Sequence, residues 1–233
     1  MEFGANYTLP IDGKAVLTAV EVEVINPATD IAFARAPLAG QAELDAAIIM
    51  PDVDVAAVAE KLFFGAFYNS AQICVATKRM YIHEAIYDEL RDALAKLAKA
   101  SVVGEGLDQG TGFGPIQNRP QFERMRRLIE GTREQGLVLP LLKFSDTDEA
   151  VARANASEYG LAGAVWSNDI EAAPEIANRL ETGTVWINEN LSNAPHIPFA
   201  GAKQSGFGVE NGEEGLREYT WRRTVFIAKR IAG

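Results

Sequence analysis

From Ile49 onward the chain alternates amphipathic helical stretches with short runs of β-branched and aromatic residues, and this alternation most narrows the folds open to it. The spacing predicts helices over about 54–69, 84–99, 119–135, 146–156 and 169–181, each opening near an acidic, polar or proline residue. In the second of these, Ile86, Leu90, Leu94 and Leu97 fall on one face. Strands are expected at 79–83, 137–144, 163–167, 184–188 and 224–229. Strands that alternate with helices imply an α/β fold whose sheet is mostly parallel and flanked by helices. Pro174 is out of place inside the last helix, where it removes a hydrogen bond unless the helix starts later.

Residues 1–48 read differently, as strand-like and then helical. Ile11-Asp12-Gly13-Lys14 has the composition of a tight hairpin turn. Val20, Val22 and Val24 then alternate with Glu21 and Glu23, a period of two that suits a half-exposed strand ended by Asn26-Pro27.

With 233 residues, 48% of them apolar, the chain can bury one real core, with or without a small appendage. A net charge of −10 argues against a general nucleic-acid or anionic-membrane surface. No apolar run approaches the about 18 residues that a membrane span requires. Met1-Glu2-Phe3-Gly4 has neither the basic region nor the apolar core of a signal peptide. A single cysteine suits a reducing compartment, so a cytoplasmic location is expected. The two histidines, His83 and His196, lie far apart with no HExxH pattern or cysteine–histidine cluster, so no metal site is expected.

That cysteine is Cys74, and with no second cysteine it is either a buried hydrophobe or a working thiol. The apolar helical run 55–68 ends in the small polar loop Asn69-Ser70-Ala71-Gln72-Ile73, and the thiol follows directly. Loops at the end of a rigid element commonly present nucleophiles in this way.

Phe67-Tyr68-Asn69-Ser70-Ala71-Gln72-Ile73-Cys74 resembles the cysteine motif of the aldehyde dehydrogenase superfamily. Gly110-Thr111-Gly112-Phe113-Gly114-Pro115-Ile116-Gln117-Asn118-Arg119 is similar to the segment that follows it in that family. Gly183-Thr184-Val185-Trp186-Ile187-Asn188 and Pro198-Phe199-Ala200-Gly201-Ala202-Lys203-Gln204-Ser205-Gly206 resemble the C-terminal signatures, and Asn26-Pro27-Ala28-Thr29 an N-terminal strand-turn. The order is the family's, and together the matches cover most of the chain.

The resemblance implies a catalytic domain over 49–233 and an N-terminal strand and helix remnant over 1–48. A family member is roughly twice this length and includes a dinucleotide domain. That core looks excised near Ile48, taking with it the oxyanion asparagine, the glycine turn over the pyrophosphate and the glutamate general base. A second seam is expected near 136–137, where the glutamate that holds the nicotinamide ribose would stand. Glycines 104, 106, 110, 112 and 114 do not make a G-x-G-x-x-G spacing that opens a helix. The family uses NAD or NADP, but neither is expected to bind this chain tightly. A deletion derivative or design, a natural truncation and separate pieces of a longer chain joined together all fit this pattern.

By resemblance Cys74 is the nucleophile: thiolate adds to the aldehyde, hydride leaves to nicotinamide, and water cleaves the thioester. The Cys74 N–H would supply half of an oxyanion site whose asparagine is missing, and losing one donor costs about 100- to 1000-fold in rate. Tyr68, with Leu191, Ser192, Asn193, Ala194, His196 and Phe199 of the loop 188–199, would wall an aldehyde pocket. Ala71 stands where the family usually has glycine, which shifts the loop backbone. His196 could pair with Cys74. Asp52 and Asp54 read as a strand end and a helix cap, and Arg124, Arg126 and Arg127 as a solvated helix face. His83 reads as structural, and Lys203 and Ser205 as a tight turn packed near the thiol. Expected partners are an aldehyde or activated ester, and a second copy of the chain joined through a C-terminal strand within 219–229. Three functions follow: a dehydrogenase-derived domain without its own hydride transfer, a thiol esterase acting through Cys74, or an inert engineered scaffold.

Overall fold

The structure, a computed structural model, describes residues 9–11, 14–16, 21–26, 31–37, 45–105, 108–133 and 139–227. It divides into two compact units, Met1–Ala42 and Glu43–Gly233.

In the first unit, β1 (Leu9–Ile11) and β2 (Lys14–Val16) pair antiparallel with Ile11 opposite Lys14, as the turn composition predicts. β3 (Glu21–Asn26) pairs antiparallel with β4 (Ile31–Pro37). β3 stops at Asn26 as expected, while Val20 and the residues of the strand-turn beyond Asn26 lie outside the described ones.

The second unit is built on a five-stranded, wholly parallel sheet. Its strands are β5 (Asp45–Ile49), β6 (Thr77–His83), β7 (Leu141–Phe144), β9 (Ala162–Trp166) and β10 (Thr184–Ile187), in the spatial order β10-β9-β5-β6-β7. The helices between them are α1 (Val55–Phe67), α2 (Tyr87–Ala100), α3 (Arg119–Arg133), α4 (Thr147–Asn155) and α5 (Ala172–Ala177). Smaller strands β8 (Tyr159–Gly160), β11 (Phe199–Ala200), β12 (Ala202–Lys203) and β13 (Val209–Glu210), with α6 (Gly212–Glu218), complete the unit. The mostly parallel α/β sheet flanked by helices is therefore present.

Period-two alternation sorts the strands onto two cores. Ala47, Ile49, Met80, Ile82, Ala164 and Trp166 face α1 and α2. Ala46, Ile48, Tyr81 and Val165 face α4 and α5. Ile48, Ile49 and Ile82 are completely buried, and each such side chain contributes about 1.5–3 kcal/mol. On α2, Leu90 and Leu94 are buried and Leu97 packs against the same core.

Several expectations need correcting. The helical reading of the end of 1–48 fails where it can be judged: Asp45–Ile49 is the central strand, and the residues just before it lie outside the described ones. A strand covered on both faces shows a continuous apolar run, so no alternation marks it. The helix over 169–181 shrinks to Ala172–Ala177. Pro174 then sits in the first turn, where its missing N–H is not needed, and Asp169 Oδ1 accepts the N–H groups of Glu171 and Ala172. β7 begins at Leu141 rather than 137. The expected strand 224–229 is absent over the described 224–227, with Val225, Phe226 and Ile227 exposed. Among the described residues no strand pairs with them. The end of the third helix, the seam at 136–137 and residues 228–229 lie outside the described residues.

Candidate active site

α1 is set by Asp54, which caps its N-terminus by accepting the N–H groups of Ala56 and Ala57. Asp52 accepts instead from Ser167 Oγ and the Asp169 N–H, tying the turn after β5 to the one after β9. The paired aspartates are thus structural, and among the described residues no group of three or more His, Cys, Asp or Glu gathers.

α1 ends at Phe67, and Tyr68–Ala71 follows as a tight turn. Asn69, Ser70 and Ala71 have φ of 51°, 56° and 62°. Three successive left-handed residues with side chains store backbone strain of about 1–2 kcal/mol each. Ala71 adopts the conformation that a glycine takes without strain.

The turn is held from outside. Ser70 Oγ donates to Gly114 O at 2.7 Å. Gln72 Nε2 donates to Asn69 O and Pro115 O, and Gln72 Oε1 accepts the Gln117 N–H at 2.7 Å. Lys78 Nζ donates to Ala71 O at 2.7 Å. Burial pushes the Lys78 amine below its ordinary value, and the charge of Asp45 opposes that shift. The first and second sequence motifs are therefore one structural clamp, and Cys74 lies exposed just beyond it. Sequence reading named Cys74 but missed Gln72, Ser70 and Lys78 as its supports; the glutamine within the motif was the one available signal.

Cys74 precedes β6, at the edge of the sheet where the parallel strands begin. The loop 188–199 starts at the opposite edge, where Asn188 bonds Ser167. It runs back beside α1: Asn190 Nδ2 donates to Lys61 O, and a Cβ on Gly65 would meet Asn190 at 2.6 Å. The loop returns to the first edge, where Ala200 O lies against Gly183. Tyr68 and Phe199 thus share the edge that carries Cys74. Leu191 has φ of 60°, the Ser192 carbonyl accepts from Trp186 Nε1, and Asn193 Oδ1 accepts from Asn211 Nδ2 at 3.5 Å. His196 is exposed in a turn closed by Ile197 N–H to Ala194 O.

Lys203 and Ser205 bond to the segments around β8 and the turn before β10, not to the thiol loop. Lys203 Nζ binds Asn155 O, Ser157 O and Glu181, and Ser205 Oγ accepts from the Gly160 N–H. His83 Nδ1 accepts from the Ala85 N–H, a structural role. Arg126 pairs with Glu123 on the solvated face of α3, while Arg124 is half-buried.

The glycines of the second motif do not fit a dinucleotide cradle. The N–H groups of Gly112 and Phe113 both donate to Val102 O, and that of Gly104 to Phe113 O. α3 opens only at Arg119, five residues after Gly114, instead of directly on the glycines as phosphate binding requires.

A cavity of about 830 Å³ lies between α1, the end of α2 and the 113–122 segment. Phe63, Phe67, Phe113 and Phe122 line it; neither Cys74 nor any residue of 191–199 does.

The model of the aldehyde dehydrogenase family matches residues 44–141 and 135–225. Phenylacetaldehyde dehydrogenase of Pseudomonas fluorescens is 33% identical over 78% of this chain and 44% of its own length. Mitochondrial aldehyde dehydrogenase of Leishmania tarentolae is 31% identical over 91% of this chain and 50% of its own length. Among solved structures, the NAD+ complex of aldehyde dehydrogenase from Bacillus cereus superposes with a TM-score of 0.74 at 32% identity, covering 77% of this chain and 44% of that one. The chain spans about half the length of the curated relatives it matches.

Proposed function

Because this chain belongs to the aldehyde dehydrogenase family, we propose that it is the cysteine-bearing catalytic part of such an enzyme, able to form covalent acyl and hemiacetal adducts without hydride transfer of its own. The observation that carries this reading is Cys74 itself, exposed at the end of a turn that is strained and clamped from outside at Ser70, Ala71 and Gln72.

With an aldehyde, the Cys74 thiolate forms an S–C bond and the carbonyl oxygen takes a proton, giving a thiohemiacetal. With an activated ester, the S–C bond forms while the C–O bond to the leaving alkoxide breaks. Water then cleaves the thioester to a carboxylic acid and restores the thiol. NAD or NADP supplies the hydride acceptor in the relatives' chemistry. In the second motif the Gly112 N–H is spent on Val102 O, and α3 opens five residues after Gly114, so that segment does not fit the cofactor's phosphates. Tyr68, Leu191, Ser192, Asn193, His196 and Phe199 would line the approach to the thiol. The family match in two segments that overlap at 135–141 supports an internal seam near 136–137, and we place a second near 48–49. Self-association through the apolar residues 219–227 is part of the same proposal.

The test is release of nitrophenolate from p-nitrophenyl acetate by the chain and by Cys74→Ala. Turnover that vanishes in the variant is expected. Equal background rates would leave an inert scaffold with the family's fold, and the reading would fall.

A further inference from the structure

We propose that Lys78 is a second reactive group beside the thiol: its side-chain amine takes the acyl group from the Cys74 thioester, so that an activated ester leaves the chain acylated on Lys78. The inference rests on the reading of Cys74 as the nucleophile that is acylated first.

The chain folds back on itself around the thiol. The Ala76 N–H donates to Ile73 O at 3.3 Å, so Cys74 and Val75 are the two central residues of a turn. β6 then starts at Thr77, and Lys78 Nζ reaches back to Ala71 O at 2.7 Å. The amine is thereby anchored three residues before the thiol, a stretch that spans at most about 11 Å even when fully extended. Cys74 is exposed, so an acyl group on its sulfur has room to swing. The lysine stem is long and flexible, and it covers the remaining gap once its bond to Ala71 O is released.

The surroundings suit the amine to attack. Burial lowers its pKa, against the opposing pull of the Asp45 carboxylate. More of it is therefore neutral at a given pH than of an exposed lysine, and a desolvated neutral amine is a working nucleophile. The Ala71 carbonyl accepts an N–H and does not engage the lone pair of the neutral amine.

The step balances without a further reactant. The amine nitrogen attacks the thioester carbonyl, an N–C bond forms and the C–S bond breaks. Sulfur leaves as thiolate, and the proton lost from nitrogen returns to it. A thioester becomes an amide, and the thiol is restored for a second acyl group. The amine competes with water because it is held in the same molecule, where a well-placed group acts at a high effective concentration. Once Lys78 is acylated, water alone resolves each later thioester.

The experiment treats the whole chain with p-nitrophenyl acetate, stops it in acid at successive times and maps acetyl groups by mass spectrometry of its peptides. An acetyl group that resists hydroxylamine, as an amide does and a thioester does not, is expected on Lys78. It should exceed that on Lys96 and Lys99, which are exposed on α2, by about tenfold. Cys74→Ala should lower the Lys78 amide by about tenfold. Alkylation of Cys74 with iodoacetamide should do the same, which guards against a folding defect in the variant. Nitrophenolate release that depends on Cys74, with no more amide on Lys78 than on Lys96 and Lys99, would overturn the transfer and leave the nucleophile standing. An amide on Lys78 that forms as fast without the thiol would overturn it as well, since the ester would then acylate the amine directly. Nitrophenolate release that does not depend on Cys74 would bring down the nucleophile and the transfer together.

Discussion

Gln72 and Gln117 are joined by a 2.7 Å hydrogen bond, main-chain N–H to side-chain oxygen, across 45 positions of sequence. The other end of the Gln72 amide reaches Pro115 O at 3.3 Å and Asn69 O at 3.2 Å. One side chain thus ties the turn before Cys74 to the segment that Ser70 Oγ also holds at Gly114 O.

Replacing it tests that arrangement. Gln72→Leu keeps most of the volume and removes all three bonds. The site is open to water, so stability should fall by only about 1 kcal/mol. Ester turnover should fall by about 100-fold, because a nucleophile displaced by about 1 Å loses that much. Urea unfolding beside p-nitrophenyl acetate kinetics separates the two effects; a rate loss no larger than the stability loss would contradict it.

Ala71→Gly should act in the opposite sense. At φ of 62° alanine carries a left-handed penalty of about 1 kcal/mol that glycine does not, partly offset by glycine's greater freedom when unfolded. A net gain of about 0.5 kcal/mol in the urea midpoint is expected.

Lys78 gives a pH signature. Burial lowers its pKa in the folded chain below the ordinary 10.5, so the unfolded chain holds that proton to higher pH. Its contribution is least favourable where both states are protonated, and improves as pH rises through the folded value toward 10.5. The stability of the native chain relative to Lys78→Met should therefore rise between neutral pH and pH 10.5, which urea titrations across that range can measure. A flat difference would show that the amine is fully solvated.

Gly183→Ala should be severe. A Cβ there would stand 1.7 Å from Ala200 O, a backbone atom that no rotamer change can move. The return of the loop 188–199 to the thiol's edge would have to shift, at a cost of about 3 kcal/mol or more. Thermal unfolding and thiol alkylation should both change. Gly65→Ala meets only the Asn190 side chain and should be the milder variant.

What could be read in the sequence was whatever had a local cause. α1 follows from its capping Asp54, α2 from its apolar spacing, and β6 and β10 from β-branched and aromatic residues between polar breaks. Cys74 could be found because its motif is contiguous. β5 was hidden because Asp45–Ile49, buried on both faces, shows no period, and its Ala and Ile read equally well as helix. The clamp was hidden because its partners lie more than 40 positions apart. The strand expected at 224–229 had the right residues, but over 224–227 no strand among the described residues pairs with them. Loop 188–199 could be placed only once Asn190 was seen against Gly65.

The position of β5 also bears on how the molecule is made. Its neighbours β6 and β9 follow it in the chain by about 30 and 120 residues. Until Trp166 has been synthesised the middle of the sheet lacks one side. Sheets closed by such distant pairings form slowly and spend longest in states that stick to one another. Yield from expression should therefore depend on temperature and on chaperone supply more steeply than the stability of the finished protein would suggest.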